Sequence, residues 1–368
     1  MADRHRYHSS DLRDYAERFL RHFDVPAKDA QIMADVLITA DERGVDSHGI
    51  IRLYSYYGTR LRRNLIDPLS PTRILEDSPA TQLIDGGNGL GPVVAYRAMK
   101  TCIQKARSNA LATVSIRNSN HYGIAGYYAM MAIPEDMIGI SLTNSQPLVA
   151  PTYAKEPMLG TNPIAVAVPA GRERPYVLDM ATSIVPIGRV TVYSKAQERI
   201  PVGWGMDRTG RLVDDPDAVL NGGALLPLGG PDTMRGYKGY GLALLVDILC
   251  GVLSGAAFGP AVGRPGSEGT ANVGHFFMAL RIGAFRSLAS FKEDMDRLLQ
   301  QMKGASKAEG HDRIYIHGEK EFEHVERCAV DGVPVLSPVA NSLKEIGDEI
   351  GVPFDCEPIR HEADPAAA

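Results

Sequence analysis

The sequence predicts an α/β protein of the α+β type, with a mixed, non-Rossmann β-sheet domain and a helical domain built from both chain ends. Three observations predict this class. Apolar residues recur at helical spacing near both ends, short β-rich segments fill the middle, and no Rossmann glycine fingerprint is present. The expected domains are a helical part over 1–75, the mixed sheet over 76–285, and a helical segment over 286–368 that returns to the first domain.

Two helices are expected at the start of the chain. Residues 11–23 and 28–42 carry apolar side chains at intervals of three and four, which is typical of a helix with one buried face. Ser9 or Ser10 is expected to cap the first of them, because a serine hydroxyl accepts a hydrogen bond from a free helix N–H.

The middle of the chain predicts the sheet. Strands are expected at 81–85, 111–117, 137–143, 163–169, 175–180 and 273–282, with helices at 92–109, 124–133 and 239–256. Residues 239–258 are the most apolar segment, and we predict a buried helix there because Asp247 and several glycines argue against a membrane span. Asp247 is expected to be a core acid with a local partner. Residues 204–230, rich in glycine and proline, are expected to run over the surface.

Helices are expected again at the end of the chain. Residues 290–293 read as a capping box that begins one helix, and Ser337-Pro338 begins another that ends at Gly351. The tail over 363–368 is expected to be disordered.

Composition excludes several classes of protein. The chain has 368 residues, 44% of them apolar and 23% charged, with a net charge of −5 and no basic tract, so a nucleic-acid partner is not expected. Its 4 cysteines form no CxxC pair, which argues against zinc ribbons and redox motifs and for a reducing, cytoplasmic location. The first residues are polar, so we expect neither a signal peptide nor a membrane anchor.

Residues 43–53 concentrate groups that can handle a carboxylic acid. Ser47, His48 and Arg52 lie within six positions in a helical pattern, flanked by Gly44 and Gly49. Histidine passes protons near neutral pH, arginine binds a carboxylate with two parallel bonds, and serine can orient the imidazole. We hypothesise a site that binds a carboxylate and moves a proton at the adjacent carbon centre. The alternative is a helix end at Gly44, a capping Ser47 and a surface Arg52.

Glycine-rich turns elsewhere offer positions for an anion. Residues 86–91 follow a strand and precede a helix, but the third glycine of a G-x-G-x-x-G motif would fall on Pro92, so we predict a tight turn. Residues 118–128 join a strand to a helix, where backbone N–H groups attract phosphate. There His121 can meet a ligand; alternatively Asn120 caps the helix and His121 is an ordinary turn residue.

Three further stretches carry candidate polar groups. Thr161 and Asn162 separate two apolar segments, and Asp179 ends an apolar strand where a carboxylate can hold ribose hydroxyls. Lys238 lies between glycines at the start of the most apolar helix and is a candidate phosphate clamp. The alternatives are a turn, a strand-ending acid and a surface lysine.

Together these motifs resemble the malate/L-lactate dehydrogenase family that lacks a Rossmann fold, over roughly residues 10–340. The relatives of that family include ureidoglycolate and sulfolactate dehydrogenases, diketogulonate reductase and Δ1-piperideine-2-carboxylate reductase. Five motifs carry the resemblance in order: RGxxSHGxxRL over 43–53, SNHYG over 119–123, GTNP over 160–163, LDMAT over 178–182 and GYKGYG over 236–241.

The resemblance implies a homodimer that transfers hydride between NAD or NADP, with NAD favoured, and C2 of a malate- or lactate-like acid. It implies that His48 with Ser47 handles the proton and that Arg52 anchors the carboxylate, with His121 as an alternative proton acceptor. Thr161 matches a substrate contact. The positions that match cofactor contacts are His121, Tyr122, Gly123, Ile124, Ala125, Ser145, Asp179, Met180, Ala181, Lys238, Gly239, Gly318 and Glu319.

Two departures from the family pattern bear on the substrate. Arg189 stands where the imine-reductase branch has an aspartate, which argues against that reductase and favours a doubly anionic substrate such as malate or sulfolactate. His317 replaces the usual proline before Gly318-Glu319. Ureidoglycolate dehydrogenase and a cyclic-imine or diketogulonate reductase stay open as alternatives. One alternative outside the family is a metal-dependent hydrolase or lyase that uses His48, His121 and Asp179. Another is an inactive dinucleotide sensor. No metal site is expected, because the sequence has no paired-histidine spacing.

Overall fold

The computed structural model describes residues 3–264 and 268–359, so the expected disorder of 363–368 lies outside the described residues. Two compact units are present. The first comprises Met1–Leu69 with Gly318–Ala368, and the second comprises Ser70–His317.

Strands and helices alternate along the second unit, whereas the first is mostly helical. The strands are β1 (Arg4–Tyr7), β2 (Arg73–Asp77), β3 (Thr81–Asp85), β4 (Leu111–Ser119), β5 (Met137–Thr143), β6 (Ile164–Val168), β7 (Tyr176–Met180), β8 (Gly205–Met206), β9 (Leu212–Val213), β10 (Ala224–Leu225), β11 (Val273–Arg281) and β12 (Val333–Leu336). The α-helices are α1 (Ser9–His22), α2 (Ala27–Glu42), α3 (Thr59–Arg62), α4 (Gly91–Asn109), α5 (Ala125–Met130), α6 (Ile187–Ala196), α7 (Pro216–Leu220), α8 (Tyr237–Asp247), α9 (Leu288–Gly304), α10 (Glu319–Asp331) and α11 (Ser337–Ile350).

The first unit joins the two ends of the chain. Strands β1 and β12 form an antiparallel pair in which Arg4 lies opposite Leu336. The Tyr15 hydroxyl on α1 donates to the carbonyl of Leu343 on α11 at 3.0 Å, and the ring of Phe354 packs edge-on against Tyr15 at 4.8 Å. These contacts confirm a helical body built from both ends. The sequence analysis missed β1 and β12, because each has only 4 residues and pairs with a distant segment.

The second unit contains the mixed sheet. Its 7 strands follow the order β2-β3-β4-β11-β5-β6-β7. Strands β3 and β4 are parallel and connected through α4, while the other neighbouring pairs are antiparallel. The predicted mixed sheet is therefore confirmed, and no Rossmann glycine loop serves it. Residues 86–91 form the predicted tight turn, in which Gly87 N–H donates to Asp85 at 3.0 Å and Asn88 N–H donates to the Asn118 carbonyl at 2.8 Å.

The segment 286–317 lies in the second unit, whereas the sequence analysis assigned it to the helical domain. Helix α9 holds the turn between β6 and β7, because the Asp296 carboxylate accepts the backbone N–H groups of Gly171, Arg172 and Glu173 at 2.7–3.1 Å. The N-cap of α9 is Ser287, which differs from the predicted capping box at 290–293. Similarly, His8 precedes α1 and gives no side-chain cap, so neither Ser9 nor Ser10 serves as its N-cap.

The segment 204–230 is more ordered than a surface excursion. It contains the three-stranded sheet β10-β8-β9 and helix α7. Val219 and Leu225 are buried in a cluster with Val149, Leu159 and Ala243. The sequence pattern does not predict this small core, because the segment is rich in glycine and proline and its strands have only 2 residues each.

Helix α8 is apolar but not buried on all sides, which corrects the sequence prediction. It continues as a π-helix over Ile248–Val252, and one face leaves Leu245, Ile248 and Val252 exposed by 48%, 44% and 57%. Its other face holds the expected core acid: Asp247 accepts from Asn144 Nδ2 at 3.0 Å and from Gly259 N–H at 2.7 Å. Among the described residues, the structure has no helix with both the length and the apolarity needed to cross a bilayer.

Candidate active site

The segment after α2 presents Ser47, His48 and Arg52 through irregular backbone. The chain turns at Gly44, which has a φ of +75°, and forms a 3-10 turn over Asp46–His48. Gly49 then interrupts the turn, and a π-helix over Leu53–Gly58 follows Arg52. The helical pattern in the sequence suggested that His48 and Arg52 share one α-helical turn. They do not, because Gly49 between them is not helical.

Direct contacts nevertheless join the three residues. Ser47 Oγ lies 2.9 Å from His48 Nδ1, and Arg52 Nε donates to the Ser47 carbonyl at 2.7 Å. The serine therefore fixes the imidazole through its side chain and the guanidinium through its backbone. A hydrogen bond at Nδ1 influences the tautomer and the orientation of an imidazole ring.

Electrostatics make this cluster a receptor for an anion. Burial and the Arg52 charge together lower the pKa of His48 to about 4, so the imidazole is neutral at pH 7. Burial also lowers the pKa of Arg52. In the described part of the chain, no carboxylate pairs with the Arg52 guanidinium. A desolvated cation without a counter-ion favours the binding of an anion.

In the second unit, residues 120–124 form the loop between β4 and α5, which hydrogen bonds to other segments hold in place. Asn120 Nδ2 donates to the carbonyls of Asn88 and Gly89 at 3.2 and 2.9 Å, so Asn120 is not a cap for α5, which was the alternative interpretation. Asp179 instead satisfies a backbone N–H in the first turn of that helix, because its Oδ2 accepts the Gly126 N–H at 2.8 Å. The ring of His121 is fixed locally, with Nδ1 accepting the Gly123 N–H at 3.3 Å.

His275 on β11 contacts both Ser119, before this loop, and Tyr122 within it. The sequence did not predict this residue as part of the site. Its ring is fully buried and lies 2.8 Å from Thr143 Oγ1 and 2.9 Å from Ser119 Oγ. It also stacks on the ring of Tyr122, with centroids 4.6 Å apart. Burial lowers its pKa to about 3, so it acts as a neutral hydrogen-bonding group. The one sequence feature that could have predicted this role is a histidine within the otherwise apolar start of β11.

Ser145 and Thr161 also meet in the second unit. The Thr161 N–H donates to Ser145 Oγ at 3.1 Å, and the Ser145 N–H donates to Asn162 Oδ1 at 3.1 Å. Asn162 is fully buried with a φ of +36°, and its Nδ2 donates to the carbonyl of Ala243 on α8 at 2.9 Å. Thr182, after β7, donates to the Asn162 carbonyl at 3.0 Å. The ends of β6 and β7 and helix α8 are thereby held together.

Lys238 lies exposed in the first turn of α8. Gly239 packs against the backbone of Leu228, where a Cβ would overlap the carbonyl, and Leu228 N–H donates to the Thr182 carbonyl at 2.8 Å. Gly241 lies just after this turn, and apart from its chain neighbours and the adjacent helix backbone no atom of the described residues lies within 4 Å of its Cβ position. The lysine and an open stretch of backbone at a helix N-terminus can therefore both meet a phosphate.

The remaining predicted residues lie on α6, at the start of α10 and at the end of β7. Arg189, near the start of α6, is exposed, and its guanidinium lies 5.3 Å from the ring centroid of Tyr193 on the same helix. Gly318, with a φ of +94°, begins α10 in the first unit, and Glu319 after it is buried. Met180 and Ala181 follow Asp179 at the end of β7. Within 3–264 and 268–359, no group of three His, Cys, Asp or Glu side chains is arranged to hold a metal ion.

Comparisons with known proteins extend over nearly the whole chain. The family model described as malate/L-lactate dehydrogenase matches residues 7–344. Malate dehydrogenase from Pyrococcus horikoshii is 47% identical over 343 residues, which cover 93% of this chain and 94% of that protein. Its solved structure gives a TM-score of 0.89 at 42% identity, covering 98% of this chain and 99% of that one. L-sulfolactate dehydrogenase from Methanocaldococcus jannaschii is 41% identical over 334 residues, covering 90% and 94%.

The pKa of His48 is the first testable consequence of this geometry. We expect its ring to titrate with a midpoint of about 4 in the folded protein, as followed by NMR of the ring nitrogens. The same ring in the urea-unfolded chain should titrate near ~6.5. Because the Arg52 charge contributes to the lowering, Arg52→Gln should move the midpoint upward. A folded-state midpoint near ~6.5 would contradict the described environment.

Proposed function

This chain belongs to the malate/L-lactate dehydrogenase family, and from that premise we propose that it interconverts malate, or a malate-like acid such as sulfolactate, and the corresponding 2-oxo acid. It is an oxidoreductase of 2-hydroxy acids that uses a nicotinamide cofactor. In the oxidative direction, C2 of the acid loses a hydride to the oxidised nicotinamide, and the hydroxyl loses its proton to a base. The products are the 2-oxo acid, the reduced nicotinamide and one proton.

One observation carries the proposal: Arg52 is a desolvated guanidinium without a carboxylate partner in the described part of the chain, and it lies beside a neutral imidazole. The substrate carboxylate supplies the missing negative charge. Arg52 Nε is already bonded to the Ser47 carbonyl, so the rest of the guanidinium is oriented before an acid binds. Such preorganisation reduces the entropy cost of positioning the substrate.

His48 is the proposed proton acceptor. A pKa of about 4 leaves its imidazole unprotonated at neutral pH, as the removal of a hydroxyl proton requires. When Nε2 takes that proton, Nδ1 must carry the other, and it then donates to Ser47 Oγ, 2.9 Å away. A bound carboxylate offsets the Arg52 charge that holds the pKa down, so substrate binding raises the basicity of His48 when it is needed.

His121 is the second candidate for the proton acceptor. Its Nδ1 accepts from Gly123 N–H, which leaves Nε2–H as a donor in the neutral ring. That tautomer suits donation to a substrate oxygen better than removal of a proton. We therefore assign His48 the main role. Thr161, whose N–H is held by Ser145 Oγ, is the proposed further contact of the substrate.

The chain's residues fit a nicotinamide dinucleotide. Lys238 supplies a positive charge at the first turn of α8, and the open backbone at Gly241 leaves room for a phosphate to approach. The proposed binding residues are those of 121–125, Ser145, 179–181, Lys238, Gly239, Gly318 and Glu319. When bound, the nicotinamide supplies the hydride chemistry. Among the two cofactors we propose NAD, because an acid at the strand end, Asp179, suits unmodified ribose hydroxyls better than a 2′-phosphate.

Malate is the proposed substrate ahead of sulfolactate. The malate dehydrogenase reported above is 47% identical to this chain, against 41% for the sulfolactate dehydrogenase. Both names describe a 2-hydroxy acid with a second acidic group. Arg189 remains the proposed cation for that second group, although its guanidinium lies over Tyr193 in the structure.

A homodimer is the proposed assembly. Leu244, Leu245, Ile248, Val252 and Leu253 form an exposed apolar face along α8 and the π-helix after it, with 40–57% of each residue exposed. Contiguous apolar surface of this kind marks an interaction site in a water-exposed protein. The face is not charged, so it suits a second copy of itself across a two-fold axis.

The four cysteines are free thiols, and we propose the cytoplasm as the location on that ground.

An assay of NADH and NADPH oxidation with oxaloacetate, sulfopyruvate, pyruvate and oxalurate tests the proposed reaction. We expect the highest kcat/KM with NADH and oxaloacetate, unchanged in EDTA. His48→Ala should lower kcat by about 10²–10⁴-fold and leave the affinity for NADH intact. If His121→Ala abolishes turnover and His48→Ala preserves it, the proton transfer belongs to His121. Inactivity of the wild type with every acid would reject the function.

Arg52→Lys tests the carboxylate anchor. Lysine keeps the charge but lacks the planar fork, so we expect the KM for oxaloacetate to rise by about 10- to 100-fold. The matched control is Arg62→Lys, since Arg62 is half exposed and pairs with Glu349 on the surface. An unchanged KM in Arg52→Lys would remove Arg52 from the substrate site.

The apolar face of α8 predicts the state of association. Leu245→Glu combined with Ile248→Glu should convert the dimer into monomers in light scattering, because two desolvated charges would oppose each other across the interface. Val330→Glu, at an exposed valine on α10, is the control and should leave the mass unchanged. A wild type that is monomeric at micromolar concentration would contradict the assembly.

A further inference from the structure

Asp41, in the last turn of α2, is a buried acid that the proposed reaction does not use. Only 5% of it is exposed, and its Oδ2 accepts the Ile50 N–H at 2.6 Å. Burial raises the pKa of its carboxyl well above the usual range, with the charges of Asp46 and Glu42 acting in the same direction and that of Arg4 opposing them. The side chain therefore reaches from a stable helix into the segment that carries His48 and Arg52.

The same carboxyl explains why position 49 is glycine. The three atoms nearest to a Cβ built on Gly49 are Oδ1, Cγ and Oδ2 of Asp41, and all three would overlap it. Gly49 has a φ of −87°, outside the left-handed region that favours glycine. The Asp41 carboxyl, and not a positive φ, therefore excludes a side chain here.

We propose that Asp41 is a positioning residue that fixes the backbone between His48 and Arg52, so that the imidazole and the guanidinium hold their relative placement. The proposal deepens the proposed function and rests on it. Asp41 itself contacts neither the substrate nor the cofactor in this account. It acts through the Ile50 amide and through its packing on Gly49.

The segment needs such support because the turn that carries His48 is short. The 3-10 turn has 3 residues, closed by His48 N–H to the Val45 carbonyl at 3.0 Å and by Gly49 N–H to the Asp46 carbonyl at 3.3 Å. Short 3-10 turns have poor hydrogen-bond geometry, so they do not hold a precise conformation alone. A displacement of about 1 Å in a reacting group can lower a rate by about 10²-fold.

The test compares Asp41→Ala with Asp41→Asn. Alanine removes the acceptor of the Ile50 N–H, so we expect kcat/KM for oxaloacetate to fall by about 10²-fold with the affinity for NADH unchanged. Asparagine keeps an oxygen acceptor, so its kcat/KM should stay within about threefold of the wild type. Amide hydrogen exchange should quicken over 47–53 in Asp41→Ala and stay unchanged over α1 and the first turns of α2. Equal losses in both variants, or unchanged exchange over 47–53, would overturn the proposal.

A double-mutant cycle with Gly49 gives an independent readout. Gly49→Ala alone should lower activity strongly, because the methyl group meets the Asp41 carboxyl. In the Asp41→Ala background the clashing atoms are gone, so the same change should cost less than about threefold; additive effects would overturn the proposal. The exchange measurement needs no turnover. An inactive wild type would therefore reject the proposed function while exchange over 47–53 still decided the role of Asp41.

Discussion

The guanidinium of Arg52 is the group on which the rest of the site depends. It is partly desolvated, bonded to the Ser47 carbonyl and without a carboxylate partner in the described residues. Leaving such a cation uncompensated costs free energy, and a bound carboxylate recovers part of it. The same charge lowers the pKa of His48, so in the proposed reaction the anchoring of the acid and the activation of the base are electrostatically coupled. In the same unit, β1 and β12 pair the two ends of the chain.

The second unit holds several loops through buried side-chain hydrogen bonds, in addition to ion pairs such as Arg117–Asp85. The buried groups are His275, which contacts Ser119 at the end of β4, Asn162, which contacts Ser145 and α8, and the Asn144–Asp247 pair at the far end of α8. Each of these side chains satisfies two or more partners, and satisfied buried networks rigidify a structure. Three of the family motifs, at 119–123, 160–163 and 178–182, therefore lie at the ends of strands of the seven-stranded sheet.

Local patterns predicted much of this structure, and long-range contacts account for what they missed. Strands β3 and β5 have the predicted bounds, since their alternation is local, and α11 ends at Gly351 with a φ of +73° as expected. Periodicity does not show that α9 packs on the β6–β7 turn, nor that one face of α8 is exposed. Ser47, His48 and Arg52 were identified by residue type and motif. Asp41 and His275 were not, because the role of a buried polar group depends on its distant partners.

The most direct measurement is a crystal structure of the protein with NADH and oxalate, an unreactive analogue of a 2-oxo acid. We expect an oxalate carboxylate within about 3 Å of the Arg52 guanidinium, with a second oxalate oxygen at hydrogen-bond distance from His48 Nε2. Oxalate bound by Lys238 or Arg189, with Arg52 and His48 making no contact to it, would contradict the central claim.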